Sequence, residues 1–455
     1  MELQGADQKN SAGVAPPAPG VGRTFLGHPV GLTVLFLTET WANFSYFGMQ
    51  ALLVYYMIKH LKYAQPTASA LYGAYAAYAY LTPLLGGWVA DRWLGQKRSV
   101  ILGGSLMALG HFALAFDGLF FPGLVLVGLG NGFFITSTTT QVGHLYAAGD
   151  SRRDRAYTLY YVGINIGGFV APLVCGTLGE VWGWHYGFAA AGVGMVIGLV
   201  IYLCFQGALG AAPGIRRERI DKSRRAPIGP EGRRALRTLF AVAGLVVLFR
   251  IAYEQTGNTI ALWADAYTDR ALANGFVIPA TWFQSVNPFL IFALTPFLAL
   301  WWSRQARRGR EPPTLRKMAI GCGLGGLAFI VMIGAAAQYA KSGSASWLWL
   351  IGFFFLLTAG ELFVLPIGLS LFSRLAPPRA ASAMIGVWYL AKFAGASLSG
   401  WLGAFWSQTP PMLFFGVGAA SAFAASIALF ATGRFLLKPA GQTGSSSASS
   451  LAETA

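Results

Sequence analysis

Four polar side chains recur along the first long apolar stretch of the chain. Glu39, Asn43, Tyr46 and Gln50 are spaced by four, three and four residues, so they share one face of an α-helix. A carboxylate inside a membrane-spanning helix is costly and by default marks a substrate or proton path. The spacing therefore predicts that this helix lines a polar cavity in a membrane transporter.

Charged residues also interrupt the apolar stretches of the second half of the chain. We interpret Glu254 and Glu361, like Glu39, as cavity residues, because a carboxylate that faces lipid or dry packing is strongly destabilising. Arg250 precedes Glu254 by one helical turn, so the two can instead form a structural ion pair. Lys392 can pair with Glu361 or Glu254, can hold a carboxylate of the cargo, or can extend to the membrane interface.

The composition is that of a membrane protein. The chain has 455 residues, of which 55% are hydrophobic and 11% charged, whereas soluble domains carry about 25% charged residues. A bilayer core of about 30 Å needs roughly 20 apolar residues per helix. The sequence therefore predicts an all-α membrane protein with twelve transmembrane helices, near residues 30–58, 68–90, 99–116, 119–147, 156–178, 185–206, 236–264, 279–302, 316–338, 345–372, 382–405 and 411–433.

The net charge of +16 is concentrated in every second predicted loop. Examples are Arg92, Lys97 and Arg98 in one loop and Arg152, Arg153 and Arg155 in another. This alternation follows the positive-inside rule, so it predicts a multi-pass protein with both termini in the cytoplasm. It also argues against a nucleic-acid-binding surface, because a soluble basic protein would not segregate charge with that period.

The polar, basic segment 207–235 divides the predicted spans six and six. We predict a six-helix bundle at 29–206, a cytoplasmic linker at 207–235 and a second six-helix bundle at 236–434, with the cargo site between the bundles. Residues 1–28 have no signal-peptide pattern and are predicted to be a disordered cytoplasmic terminus. Residues 435–455 are predicted to be a disordered cytoplasmic tail.

Motifs for metal binding and catalysis are missing from the sequence. Cys175, Cys204 and Cys322 lie in apolar segments without CxxC spacing, and the five histidines are scattered without forming a ligand pair. The chain has no HExxH, no GxSxG and no phosphate-binding glycine loop. We expect no enzyme activity, no metal site and no cofactor, apart from the proton as a coupling ion.

The loop at residues 86–98 contains paired glycines, an aspartate and a basic cluster. Gly86 and Gly87 allow helix ends to approach closely, Asp91 can lie against the N-terminus of a neighbouring helix, and Arg92 faces the cytoplasm. This loop resembles the signature loop of the major facilitator superfamily, which implies that superfamily's fold of twelve helices in two bundles.

A set of ordered blocks sharpens the resemblance. Residues 39–51, 160–168, 253–257, 283–288, 360–370 and 384–390 resemble, in the same order, motifs of the proton-dependent oligopeptide transporter family. The resemblance implies a monomeric secondary transporter of di- or tripeptides in a cell's inner or plasma membrane. It also implies alternating access driven by the proton gradient.

The resemblance assigns roles to individual residues. Glu361 would receive the N-terminus of the peptide, Asn165 and Asn287 would hydrogen-bond the peptide backbone, and Glu254 would belong to a gate or charge network. Protonation of Glu39, Glu254 or Glu361 would couple transport to the gradient. The pocket itself would be shaped by Tyr46 and Tyr80, and Trp388 belongs to the last of the matching blocks.

The departures from the family pattern leave alternatives open. The second Glu and the Arg of the family's ExxER run are Ala42 and Asn43 here, Gln50 replaces another Arg, and Asn131 stands in a fourth-helix segment without the usual Lys-Pro-Asn. A site changed in this way also fits a facilitator, or a carrier of a cationic or drug-like amphiphile. A non-transporting receptor would require Arg250–Glu254 and Lys392–Glu361 pairs that hold one state.

Overall fold

The computed structural model describes residues 24–25, 27–147, 150, 152–210, 229–377 and 380–436. Almost all of these residues are helical. The predictions of disorder for most of residues 1–28 and for the tail beyond residue 436 lie outside the described residues. The same holds for the centre of the predicted linker, residues 211–228.

In the first half of the chain, the described residues form six long helices. They are α1 (Val30–Tyr55), α2 (Gln65–Val89), α3 (Gln96–Ala113), α4 (Phe120–His144), α5 (Arg152–Ala171) and α6 (Trp184–Phe205). Wider π-helical turns extend three of them, at Tyr56–His60, Ala90–Leu94, Pro172–Gly176 and Leu178–Trp182. Helix α1 packs against α5 and α6, while α4 packs against α2 and α3.

Seven helices are formed by the residues of the second half that the structure describes. They are α7 (Pro230–Tyr253), α8 (Thr259–Ala266), α9 (Phe283–Arg307), α10 (Thr314–Ser342), α11 (Leu348–Leu375), α12 (Ala381–Gly403) and α13 (Pro411–Leu436). Helix α10 packs against α11 and α13, and α7 packs against α12 and α13. Two pairs of two-residue strands complete the structure: β1 (Thr24–Phe25) with β2 (His28–Pro29), and β3 (Thr268–Asp269) with β4 (Ala345–Ser346).

The seventh predicted span, residues 236–264, is broken rather than continuous. Helix α7 ends at Tyr253, a 3-10 turn follows at Glu254–Gly257, and α8 begins after Asn258, whose φ and ψ are −115° and −98°. Gly257 lies against the hydroxyl group of Tyr72, since a Cβ at Gly257 would be 1.8 Å from that oxygen. Irregular backbone inside a membrane is tolerated where it lines a cavity, so the break points to such a cavity.

The helices differ in how apolar they are. In the part of the chain that the structure describes, eight helical segments are long and apolar enough to cross a bilayer. These segments contain α4, α5, α6, α7 with α8, α9, α10, α11 and α13. Helices α1, α2, α3 and α12 have less apolar sequences and are not among these eight segments. The full count of twelve spans stays a prediction.

Two observed elements extend beyond the boundaries predicted for the terminus and the linker. The end of the predicted disordered terminus forms the β1–β2 hairpin, in which Gly27 adopts a φ of +79° and accepts a hydrogen bond from Arg152 Nη1 at 3.1 Å. Helix α7 begins at Pro230 instead of residue 236, because proline at the first helical position has no N–H to leave unpaired.

Outside the spans, Asp150 precedes α5, and its hydrogen bonds from Arg152 lower the pKa of Asp150 to about 2.

The two halves meet along two helix pairs, α2 with α12 and α5 with α9. At the α2–α12 crossing the backbones touch at two glycines, because a Cβ at Gly73 would lie 2.3 Å from the Cα of Gly400. Ala76, Ala77 and Ala396 form a small buried cluster beside them. Small residues therefore form the centre of the crossing, and the rings of Tyr80 and Phe393 pack against it.

Polar contacts join the halves at the end that the charge distribution predicts to be extracellular. Lys59 Nζ lies 2.7 Å from Asp265 Oδ1, and Arg270 lies 3.4 Å from Asp265 and 3.9 Å from Glu180. We call these four residues the outer rim. The carboxylate of Glu180 also accepts hydrogen bonds from two backbone N–H groups at the start of α9, at 2.8 and 3.1 Å. The outer end of the contact between the halves is therefore closed.

Candidate functional site

A cavity of about 360 Å³ lies between the two halves, beside the break that follows α7. This volume is in the range of small-molecule sites. The cavity is lined by residues of both halves, and its polar lining comprises Asn43, Tyr46, Gln50, Tyr72, Tyr80, Asn131, Tyr161, Arg250, Tyr253, Glu254, Thr256, Gln284, Asn287, Glu361, Tyr389 and Lys392.

Arg250, Glu254 and Tyr80 form one hydrogen-bonded group in this lining. Arg250 Nη2 donates to Glu254 Oε1 and to the hydroxyl oxygen of Tyr80, and that hydroxyl donates to Glu254 Oε1 at 3.0 Å. Arg250 and Glu254 are 1% and 6% exposed. A pair buried to this degree is tolerated only when both charges are compensated. The structural ion pair that the sequence left open is therefore formed, and Glu254 also lines the cavity.

Lys392 has aromatic rather than acidic neighbours. Its Nζ lies 4.3 Å from the ring centroid of Tyr80 and 5.3 Å from that of Tyr389, which are cation–π distances. None of the carboxylates in the described ranges lies at salt-bridge distance from Lys392. The pairs with Glu361 and Glu254 that the sequence allowed are not formed. Lys392 lines the cavity instead of reaching the membrane interface.

Glu361, on α11, is hydrogen-bonded by the neutral side chain of Asn287 on α9. Its Oε2 accepts a hydrogen bond from Asn287 Nδ2 at 2.8 Å, and the same nitrogen donates to Thr358 Oγ1 at 2.9 Å. Glu361 is 7% exposed. Since both donations come from the amide nitrogen of Asn287, its amide oxygen is left as an acceptor in the cavity lining.

The first helix contributes most of its predicted polar face. Asn43, Tyr46 and Gln50 line the cavity, and Gln50 Nε2 donates to the hydroxyl of Tyr72 at 3.0 Å. The ring of Tyr46 packs edge-to-face on that of Phe47, with centroids 5.6 Å apart. Three of the four polar residues predicted for this face of α1 therefore line the cavity, and Glu39 does not.

Glu39 does not line the cavity, contrary to the expectation from the sequence. Its carboxylate accepts hydrogen bonds from Asn43 Nδ2 at 3.0 Å and from Thr138 Oγ1 at 3.1 Å, and Tyr160 contacts Thr138 at 2.9 Å. Helices α4 and α5 close over this end of α1. Glu39 is consequently 1% exposed and has only neutral partners among the described residues.

Two further predicted site residues lie away from the cavity. Asn165 donates from Nδ2 to the backbone oxygen of Tyr161 at 2.8 Å, so it faces its own helix. Trp388 packs on Phe372, with ring centroids 5.2 Å apart, and against Gly368. On α12 the cavity is instead reached by Tyr389 and Lys392, which are three residues apart and share a helix face.

Sequence reasoning gave no role to Tyr389, Tyr253 or Tyr161, all of which line the cavity. For two of them, a charged neighbour in the sequence could have indicated a place in the cavity. Tyr389 stands one turn before Lys392, and Tyr253 adjoins Glu254. Tyr161 stands one turn before Asn165, to which the family resemblance assigned the role on α5.

The loop motif at residues 86–98 lies outside the cavity and joins helices. A Cβ at Gly86 would be 2.4 Å from the backbone of Gly132, and one at Gly87 would be 3.6 Å from Thr136. Asp91 accepts a hydrogen bond at 2.7 Å from Gln96, the first residue of α3, while Arg92 is exposed. The glycines therefore allow α2 to approach α4, as predicted from their type.

Two of the histidines that are scattered in the sequence lie together in the structure. His60 and His185 lie close to each other at the outer end of the first half, with Asp117 beside both. They are far apart in the sequence, and the packing of α1 against α6 brings them together.

Membrane-length helices in two groups around a polar cavity, without catalytic apparatus among the described residues, define a multi-pass membrane transporter. Comparison with known proteins agrees. The model of the POT family matches residues 97–216 and 219–445. The chain belongs to the POT family, and it has the major facilitator superfamily fold expected from its sequence. The proteins of this family are transporters and not enzymes.

Three relatives illustrate the match. The chain is 35% identical over 462 residues to the peptide transporter YePEPT of Yersinia enterocolitica, covering 85% of this chain and 89% of that protein. It is 32% identical to a di-/tripeptide transporter of Lactococcus lactis subsp. cremoris, covering 87% and 93% of the two chains. A crystal structure of a peptide transporter variant in complex with alafosfalin superposes with a TM-score of 0.83 at 30% identity, covering 91% and 96%.

Proposed function

We propose that the chain transports di- or tripeptides by alternating access. The observation that carries this proposal is the charge arrangement of the cavity. It contains a cation, Lys392, without a carboxylate partner in the described structure, and a carboxylate, Glu361, held only by neutral hydrogen bonds. These are the groups that the two ends of a zwitterion require. The peptide transporters among the relatives support the same cargo.

The geometry suggests how a peptide would lie. Its ammonium group would bind Glu361, and its carboxylate would bind Lys392. The amide oxygen of Asn287 would accept an N–H from the peptide backbone. Tyr46 and Tyr80 would form walls that combine apolar rings with polar tips, so they tolerate varied side chains.

The closed outer rim and the close α2–α12 crossing support alternating access. Lys59–Asp265 and Arg270–Glu180 are cross-half contacts that must break before the outer end can open. Together with the basic loops, this supports an orientation in which the rim faces outward and both termini face the cytoplasm. We place the protein, as a monomer, in a cell's inner or plasma membrane.

Proton coupling would depend on Glu361. It lines the cavity with Glu254, but Glu254 is already compensated by Arg250, and Glu39 lies outside the cavity. A peptide ammonium and a proton would then compete for the same carboxylate or follow each other on it. The second candidate is facilitated transport without coupling, and the Arg250–Glu254 pair favours it by occupying one of the two cavity carboxylates.

The test is uptake of radiolabelled dialanine into liposomes that contain the purified protein, with and without an inward proton gradient. Coupled transport predicts accumulation only with the gradient. If counterflow persists but the proton gradient produces no accumulation, the protein is a facilitator. Competition by N-acetylated peptides, free amines and drug-like amphiphiles separates the cargo classes. Binding of dipeptide without any counterflow would point to a receptor, although the Lys392–Glu361 contact that such a lock needs is not formed.

A further inference from the structure

We propose that His60, Asp117 and His185 form a binding site for a divalent transition-metal ion at the outer end of the first half. This site is separate from the cargo cavity and does not depend on the proposed function. One ligand atom from each residue lies within 4.8 Å of the others. His60 Nε2 is 3.0 Å from Asp117 Oδ1, and His185 Nε2 is 3.9 Å from the same oxygen.

The three residues come from separate elements. His60 ends the π-helical turn after α1, Asp117 begins the 3-10 turn before α4, and His185 is the second residue of α6. The rings of Tyr56, His60 and His185 pack against one another, and His60 Nε2 lies 3.0 Å from Asp117 Oδ1. A side-chain rotation is then enough to bring three donor atoms onto one ion.

Tyr56 contacts all three side chains. Its ring is buried, lies parallel to the imidazole of His60 at a centroid distance of 5.0 Å, and meets His185 edge-on at 6.2 Å. Its hydroxyl donates to Asp117 Oδ1 at 2.7 Å. A hydrogen bond to a ligating carboxylate is the usual second-shell support of a metal site. Tyr56 therefore orients all three of the proposed ligands.

The ligand set selects the kind of ion. Two imidazoles and one carboxylate suit Zn²⁺ and similar transition metals, whereas Ca²⁺ and Mg²⁺ prefer oxygen ligands. The side chains of His60, Asp117 and His185 are 32%, 55% and 43% exposed, so the ion has access from solvent and water can fill its remaining position.

The site would tie three helix ends together next to the outer rim. His60 follows Lys59 in the same π-helical turn, and Lys59 makes the 2.7 Å contact with Asp265 of the other half. All three ligands belong to the first half, so the ion would stiffen this side of the rim without linking the halves.

The proposal is tested on the full-length protein, purified through a tag without histidines and stripped with a chelator. Zn²⁺ is titrated by calorimetry, and Co²⁺ is added to record the visible absorption of a four-coordinate site. We expect one site in the unmodified protein. His60→Ala and His185→Ala should each weaken it by about 100-fold or more, and Tyr56→Phe by about 10- to 100-fold.

The control is His28→Ala, at the opposite end of the molecule, where His28 contacts Tyr146. It should bind Zn²⁺ as the unmodified protein does. Each variant is also checked by thermal unfolding without metal, because a cooperative transition shows that the variant is folded. Absence of a Co²⁺ spectrum in the unmodified protein, or an unchanged site in His60→Ala/His185→Ala, would overturn the proposal.

Discussion

Arg250 and Glu254 form a buried ion pair within a single turn, at the point where α7 gives way to the 3-10 turn. Both charges belong to one half of the molecule, so they move together when the halves separate. Tyr80, which bonds to both of them, belongs to the other half. Separation therefore removes the tyrosine contacts and leaves the two charges compensated.

The first prediction concerns the stability of this pair. Arg250→Met leaves the Glu254 carboxylate buried without a cation, which should cost about 3–5 kcal/mol. Adding Glu254→Gln should recover most of that loss. Thermal unfolding of the detergent-solubilised protein, followed by tryptophan fluorescence over the four members of the double-mutant cycle, measures the coupling. Equal melting temperatures for Arg250→Met and the double variant would contradict a compensating pair.

The second prediction concerns the carboxylate end of the cargo. Lys392→Ala should raise the half-saturating concentration of a dipeptide by about 10- to 100-fold, because it removes a charge-assisted contact. The corresponding dipeptide amide, which lacks the carboxylate, should be little affected. Uptake by both compounds is compared in liposomes, with Lys341→Ala, an exposed lysine of α10, as the control. Equal losses for acid and amide would show that Lys392 does not read the carboxylate.

The third prediction concerns Glu361. Glu361→Gln keeps the shape of the side chain but removes its charge, so it should abolish discrimination between a free and an N-acetylated dipeptide. It should also remove the response of uptake to the proton gradient. Glu39→Gln is the matched control for cargo affinity, since Glu39 does not touch the cavity. If Glu361→Gln still accumulates dialanine against its gradient, the coupling proton lies elsewhere.

The fourth prediction concerns the outer rim. Lys59–Asp265 and Arg270–Glu180 join the two halves at the rim, so Lys59→Ala combined with Arg270→Ala removes both ion pairs, while Lys59→Ala alone removes one. The double variant should raise the ratio of outward-open to closed molecules by about five- to thirtyfold, and Lys59→Ala by less. Spin labels at Lys62→Cys and Asn274→Cys, in a Cys204→Ser background, report the distance. An unchanged distance distribution in both variants would rule out a gating role for the rim.

The fifth prediction concerns the break after α7. Gly257→Ala places a methyl group 1.8 Å from the Tyr72 hydroxyl, so it should destabilise the protein by about 1–3 kcal/mol or more. Gly244→Ala on α7 meets no atom within 4 Å and should be neutral or slightly stabilising. Melting temperatures compare the two substitutions. A tolerated Gly257→Ala would mean that α2 and this turn are not in close contact.

Local patterns anticipated much of the fold and part of the site. The apolar spans, the polar face of α1 and the Arg250–Glu254 pair depend on spacing within one helix, and spacing is visible in the sequence. The same rule explains the error at Trp388. Neighbouring residues on a helix point about 100° apart, so Tyr389 and Lys392 face the cavity while Trp388 faces the core.

Other features depend on which helices pack together, and a single sequence does not show this. Glu39 shares a helix face with Tyr46, but α4 and α5 cover only its end of α1, so it is enclosed by Thr138 and Tyr160. His60 and His185 meet because α1 packs against α6. The break at Gly257 is fixed by the approach of Tyr72, a residue of the other half.

The bare contact between Gly73 and Gly400 has a kinetic consequence. Where helices interlock through large side chains, tilting one against the other requires many rotamers to rearrange together. At Gly73 and Gly400 main chain meets main chain, so no side chain has to change rotamer at this point when α2 tilts against α12. The speed of the transport cycle is then governed by the polar links around this pivot, while the pivot itself adds little resistance.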